Sequence, residues 1–200
     1  MAILALACRM VPGAEGAGVN LIVRNKFEPQ AVLGAEPQEL DLLQQRTGSG
    51  PCVDATRDQT IIEIDDTRSD GRWPEFGPRA VELGVLSMFC VPLWVDDLRL
   101  GSLSLYGMKP SAFDQQTRNV AELLATHAAL ALSDAQRAAH LRRALINRDT
   151  IGQAKGILME RHRITADQAF ALLTQASQTL NRKVADIAES VTMTGELPQR

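Results

Sequence analysis

Arg148, Lys155 and His162 recur at seven-residue intervals, so on a helix they fall near one stripe. Arg161 and Arg163 add charge at the same end. Such a row of cations can track a phosphate backbone. It can equally be a solvated face steadied by ion pairs, which makes Arg148 and Arg161 weaker candidates than Lys155. Lys155 stands in Gln153-Ala154-Lys155-Gly156, where the glycine removes a side chain and lets a backbone or a partner come close. Arg182 and Lys183 form a second basic group. They follow Asn181, a residue able to cap a helix whose apolar face would be Val184, Ile187, Ala188 and Val191. This reading puts both cations in that helix's first turn, where the macrodipole disfavours positive charge. An incoming phosphate would find the opposite there: free backbone donors, a favourable dipole and two cations. Phe170 is the only aromatic residue of the last 60. A base could stack on it, but its place among Ala169, Leu172 and Leu173 assigns it to a core.

Other chemistry finds little support. Cys8, Cys52 and Cys90 are far apart in sequence, with no CxxC and no Cys/His cluster, so neither a disulfide framework nor a zinc site is expected. Cys90, in the apolar run MFCVPL, is expected to act as a small hydrophobe. His127 and His140 are isolated, and no haem or metal ligation is expected of them. Asp65-Asp66 and Asp96-Asp97 have no nucleophile or histidine nearby in sequence and fit turn chemistry. No phosphate loop, dinucleotide fingerprint or nucleophile elbow occurs. The expectation is a protein that is not an enzyme and carries no cofactor and no metal.

These residues need elements to hold them. Thr165 followed by Gln168 has the pattern of a capping box. Ala169, Leu172, Leu173, Ala176 and Leu180 then recur at helical spacing. Upstream, no proline and only Gly152 interrupt positions 114 to 155, which predicts one long helix over about 114–162, roughly 70 Å in length. Leu124, Ala131, Ala138 and Leu145 repeat every seven residues along it, with Ala128 and Ala135 between. That pattern suits a close-packed seam between two helices, hence a homodimer. Before the long helix, residues 16–35 read as a strand hairpin and Pro37 to Arg46 as a short helix ended by Gly48-Ser49-Gly50-Pro51. Thr60 to Asp65 reads as a strand and Trp73 to Leu83 as a helix broken by Pro78. Val85 to Val95 and Leu98 to Tyr106 read as a hairpin turning at Asp96-Asp97. Ser111 to Asp114 can cap the long helix.

Charge divides along the same line. Residues 1–136 carry 11 Lys+Arg against 18 Asp+Glu, while residues 137–200 carry 10 against 6. An acidic body with a basic tail is the asymmetry expected of a sensor joined to a nucleic-acid-binding module. The apolar fraction of 45% in 200 residues is enough for packed cores and gives no sign of a membrane span. The start, MAILALACRM, has an apolar run ending at a cysteine but no basic residue before it. It is expected to be part of an amphipathic helix and not a lipoprotein signal. A reducing cytoplasm is the expected location.

Two families carry these patterns. The blocks Arg148-x-x-Ile151-x-Gln153-Ala154-Lys155-Gly156-Ile157-Leu158-Met159, Gln168-Ala169-Phe170-Ala171-Leu172-Leu173 and Asn181-Arg182-Lys183-Val184-Ala185-Asp186-Ile187-Ala188 resemble the ANTAR domain. That domain is a three-helix RNA-binding module of bacterial transcription antitermination regulators. The body resembles a GAF domain, a small-molecule-sensing module with a central antiparallel sheet. The carrying segments are Gly16 to Leu21, Gly48 to Ala55, Asp70-x-Arg72-Trp73-Pro74, Leu100-Gly101-Ser102-Leu103-x-Leu105-Tyr106 and Ala112-Phe113-Asp114. The resemblance implies an α+β fold: a GAF-like domain over 1–135, an ANTAR domain over 136–200 and the long helix shared between them. It further implies binding of tandem stem-loops in a nascent leader transcript, for which Lys155, Arg182, Lys183, Arg148 and Arg161 are the candidates, under a GAF domain that receives a small-molecule ligand, a partner or a dimerisation signal. The competing assignment is a ligand-binding or protein-interaction GAF module whose C-terminal helices serve only dimerisation.

Overall fold

The computed structural model describes residues 2–24 and 26–198. The polar turn expected in the first hairpin falls at residue 25, outside the described residues. Contacts divide the chain into two units, Met1–Asp134 and Ala135–Arg200.

The first unit is built on a five-stranded antiparallel sheet of β1 (Gly16–Val23), β2 (Lys26–Leu33), β3 (Ile62–Ile64), β4 (Ser87–Val95) and β5 (Leu98–Gly107). Its spatial order is β2-β1-β5-β4-β3. Helix α1 (Ala2–Met10) and the N-terminal part of α5 (Gln115–His162) cover one face of the sheet. Leu4, Ala7 and Val11 recur at helical spacing and are buried there, beside Ala121, Ala125 and Ala128. On the sheet side of this layer lie Val19, Phe89, Val91, Leu103 and Leu105. Helices α2 (Ala35–Thr47), α3 (Pro51–Asp58) and α4 (Phe76–Glu82) supply the other layer. Leu40, Cys52, Ala55 and Phe76 pack there with Met88, Cys90 and Tyr106. Strand β4 is buried from Ser87 to Leu93 because both its faces are covered, which is why its sequence runs apolar without alternation.

Several boundaries differ from the sequence reading, each for a local reason. Gly48 does end α2, in the left-handed conformation at φ 64, but a further helix begins at once with Pro51 in its first turn. Pro78 breaks nothing. Helix α4 starts only at Phe76, so Pro78 lies in the first turn, where a missing N–H costs no helical bond. Strand β3 shortens to three residues. The β4–β5 hairpin turns at Asp96-Asp97 as expected, with Val95 paired to Leu98 and Asp96 at φ 53. Gly101 is required in β5: a Cβ there would stand 1.8 Å from the Asn20 carbonyl oxygen.

The second unit comprises the C-terminal part of α5, α6 (Ala166–Leu180) and α7 (Val184–Thr194). Its core is Ala154 and Leu158 from α5, Ala169 and Leu173 from α6, and Ile187, Ala188 and Val191 from α7. The expected capping box is present: Thr165 Oγ1 accepts from the Gln168 N–H at 3.3 Å, and Gln168 Oε1 accepts from the Thr165 N–H at 2.9 Å. Asn181 behaves differently from its expected role. It is the left-handed C-cap of α6, at φ 50, and the chain becomes helical again only at Val184. Asparagine tolerates that conformation better than most side chains, so the signal for a cap was real but belonged to the preceding helix. Arg182 and Lys183 therefore precede α7, with Lys183 at its N-cap in extended geometry, and are not in the first turn.

The residues of the seam expected along α5 fall into two groups. Ala128 is buried in the first unit's core and Leu124 packs against it, while Ala131, Ala138 and Leu145 are exposed. The N-terminal stretch of α5 spends Ala128, like Ala121 and Ala125, on its own sheet.

Candidate nucleic-acid interface and the GAF interior

Within the three-helix unit the basic residues fall into separate environments. Lys155 is half-buried on α5, one residue from the core position Ala154, and its Nζ lies 5.9 Å from the centroid of the Phe170 ring. It makes no ion pair among the described residues. Arg161, six residues from Lys155, is exposed but already engaged: its guanidinium donates to the Gly195 carbonyl and pairs with Glu196 at 3.1 Å. Arg163 pairs loosely with Glu160 at 3.8 Å. Arg148 and His162 are exposed. Arg182 is held from both sides, its carbonyl accepting from Ser177 Oγ at 2.5 Å and its guanidinium reaching the Asp186 carbonyl at 3.5 Å. Lys183 is exposed at the N-cap of α7 without an ion pair among the described residues.

The Arg161–Gly195 contact sets the C-terminal end of α7 beside that of α5. The 11 residues of α7 then carry Lys183 about 16 Å back along the bundle. No hydrogen bond or ion pair among the described residues links Lys155 to Arg182 or Lys183. Phe170 departs from expectation. It is 45% exposed, whereas Ala169 and Leu173 beside it are fully buried. At 100° per residue the buried stripe of α6 passes through 169 and 173 and leaves 170 outside it. The missed signal was the width of the apolar run, broader than one helix face.

The GAF interior holds a polar cluster that no local pattern announced. Asp41 on α2 is buried, and its Oδ1 accepts from Tyr106 Oη at 2.6 Å and Asn20 Nδ2 at 3.2 Å. Gly18 makes the room, since a Cβ there would come 2.5 Å from Asp41 Oδ2. Burial pushes the Asp41 carboxyl up from 3.8 to about 6, against the hydrogen bonds from Tyr106, Asn20 and Cys52. The Tyr106 hydroxyl is raised well above its ordinary value, by burial first and by the facing carboxylate second. Cys52 Sγ lies 2.9 Å from Ser104 Oγ and 3.7 Å from Cys90 Sγ. Burial also raises the Cys90 thiol well above its ordinary value. Asp41 Oδ2, Asn20 Oδ1 and Ser102 Oγ are buried with no hydrogen-bond partner among the described residues. An open cleft of about 900 Å³ lies on the same side of the sheet, with Ile22, Phe27 and Val53 as apolar walls and Lys26, Arg57 and Arg99 as cations. Arg57 is already paired with Asp54 and Asp58.

The motif Asp70-x-Arg72-Trp73 has a structural role. Arg72 pairs with Asp70 at 2.6 Å and stacks on Trp73 at 4.5 Å, and the Trp73 indole donates to Asp54 at 2.7 Å. Among the described residues no group of three or more His, Cys, Asp or Glu side chains is arranged to hold a metal ion. No helix among them is long and apolar enough to cross a membrane.

The comparisons with known proteins bear on the two units differently. No curated protein matches the chain. Among solved structures, a GAF domain/HD domain protein from Geobacter sulfurreducens aligns with a TM-score of 0.54 at 18% identity, over 68% of this chain and 90% of that one. The type II free methionine-R-sulfoxide reductase from Thermoplasma acidophilum gives 0.54 at 19%, over 64% and 85%. The GAF domain of a phosphoenolpyruvate-protein phosphotransferase from Coxiella burnetii gives 0.54 at 15%, over 69% and 82%. At these identities the likeness is one of fold. Family profiles are more specific: the GAF domain matches residues 2–133 and the ANTAR domain residues 139–191. The chain belongs to the GAF domain family and carries an ANTAR domain behind it.

Proposed function

We propose that this protein is an RNA-binding transcription antitermination regulator. Its GAF domain receives a signal, with the cleft at Ile22, Phe27 and Val53 as the place for a small molecule. Its ANTAR domain binds tandem stem-loops in a nascent leader transcript. Bound RNA is held away from its terminator fold, and transcription continues.

The observation that carries this reading is the match of residues 139–191 to the ANTAR domain, folded here as a three-helix unit in which Lys155 and Lys183 have no acidic partner among the described residues. Cations left without carboxylates are available to phosphates. Lys155, Lys183 and Arg182 come first, Arg148 follows, and Arg161 comes last because Glu196 and the Gly195 carbonyl already occupy it.

The test uses the full-length protein and an RNA bearing two adjacent stem-loops, selected on it from a pool with randomised loops. Affinity is measured across a salt series. Replacing Lys155, Arg182 and Lys183 together by Ala is expected to weaken binding to all RNAs alike and to lower the salt slope by up to about one unit per lost contact. Circular dichroism controls for folding. A folded triple variant with wild-type affinity and slope would remove these residues from the interface.

A further inference from the structure

We propose that Phe170 is a stacking platform for an unpaired RNA base and that Lys155 holds the phosphate next to that base. The proposal rests on the RNA-binding reading above and names the part of the RNA that this face reads.

Phe170 is a large apolar side chain, 45% exposed, on a helix whose own core positions are fully buried. It contributes nothing to the core that Ala169 and Leu173 form with α5 and α7. Lys155 comes from a different helix, and its ammonium lies above the ring at 5.9 Å from the centroid. The ring and the cation are thus held together by tertiary structure. The cation is free of carboxylates among the described residues, so its charge remains for a ligand.

The surface beside the pair is open. Gly152 precedes Lys155 by three residues and Met159 follows it by four, which puts both on the strip of α5 adjoining the lysine. Both are exposed. Nothing lies within 4 Å of where a Cβ would stand at Gly152 or at Gly156. Glycine within a helix costs backbone entropy, and neither residue recovers that cost by internal packing. A flush helix surface next to an aromatic ring and a free cation leaves room for a flat ligand carrying a phosphate. A nucleotide has that shape and charge, and the surrounding segment 137–200 is the basic part of the chain. Aromatic rings in RNA-binding proteins typically receive bases splayed from loops, since paired bases are already stacked. The contact is therefore with the loop and not with the stem.

The experiment compares wild type with Phe170→Leu, Phe170→Tyr and Lys155→Ala, all full length. Each is titrated with the selected two-stem-loop RNA and with the same stems closed by a polyethylene glycol linker in place of loop nucleotides. Phe170→Leu is expected to lose about tenfold or more in affinity for the looped RNA. It should keep its salt slope and bind the linker-closed RNA as wild type does. Phe170→Tyr retains binding. Lys155→Ala lowers the salt slope by about one unit. A folded Phe170→Leu protein that binds looped RNA as tightly as wild type overturns the proposal. So does an equal loss on both RNAs, which would mean the ring only props the lysine. Failure of wild type to bind either RNA overturns the RNA reading itself, an outcome separate from the other two.

Discussion

Asp41 is a carboxylate that the GAF interior tolerates at a cost. Its one satisfied oxygen receives the Tyr106 hydroxyl and the Asn20 amide, while its other oxygen is buried without a partner among the described residues. Its folded pKa, about 6, lies above the ordinary 3.8, so the folded state holds the proton more tightly than the unfolded chain. The stability that follows is present in full below about pH 4 and is lost as pH rises through about 6. The shift corresponds to about 3 kcal/mol. Urea unfolding of wild type and Asp41→Asn at several pH values isolates this term from all other titrations. The stability of wild type relative to the variant should fall by about that amount from pH 4 to pH 7, and a difference independent of pH would show that Asp41 does not titrate in this range. The sequence could not reveal this cluster. Cys52 and Cys90 are 38 residues apart, Asp41 and Tyr106 65 apart, and only the packing of α2 and α3 on the sheet brings them together. The exposure of Phe170 is hidden for a different reason: neighbours in sequence are not all neighbours in the core, since one helical step turns a side chain by 100°.

Elements were easier to read where a local rule decides them. The capping box at Thr165 and Gln168 was legible because both partners lie within one turn. The long helix was legible because nothing in 114–155 except Gly152 opposes it. Helix α3 escaped because Gly48-Ser49-Gly50-Pro51 signals both an end and a start, and only the end was read. Asn181 shows the same ambiguity at a single residue: one side chain type caps either end of a helix, and the backbone angle selects which. The capping box gives a direct prediction. Thr165→Ala leaves the Gln168 N–H without its side-chain acceptor at the start of α6 and should destabilise the three-helix unit by about 1 kcal/mol. Hydrogen exchange at the α6 amides measures it, with strands β4 and β5 as an internal reference that should not change. Equal loosening of the sheet would mean that the cap's effect is not local.

For the whole molecule the open question is how many copies act together. Every residue of α5 from Arg137 to Ile146 is exposed, including Leu141, Leu145 and Ile146 at 60% or more. Burying a leucine side chain is worth about 1.5–3 kcal/mol, so an uncovered turn of this kind forgoes a large stabilisation. A second copy of the same helix supplies a matching apolar surface, and Leu141 joins Leu145 and Ala138 of the expected seam, while Leu124 and Ala128 face the protein's own core. Wild type is accordingly expected to be a dimer by light scattering at micromolar concentration, and Leu141→Glu with Leu145→Glu a folded monomer. A dimer presents two ANTAR units. Binding of the second stem-loop then becomes intramolecular, with a gain of about 10²–10⁴ in avidity when the geometry allows it. The monomeric variant should therefore bind a single stem-loop as well as wild type does and lose the preference for two in tandem. Loss of single stem-loop binding would place the leucines in the RNA interface. A variant that still dimerises, or a wild type that never did, would remove α5 as the dimer seam.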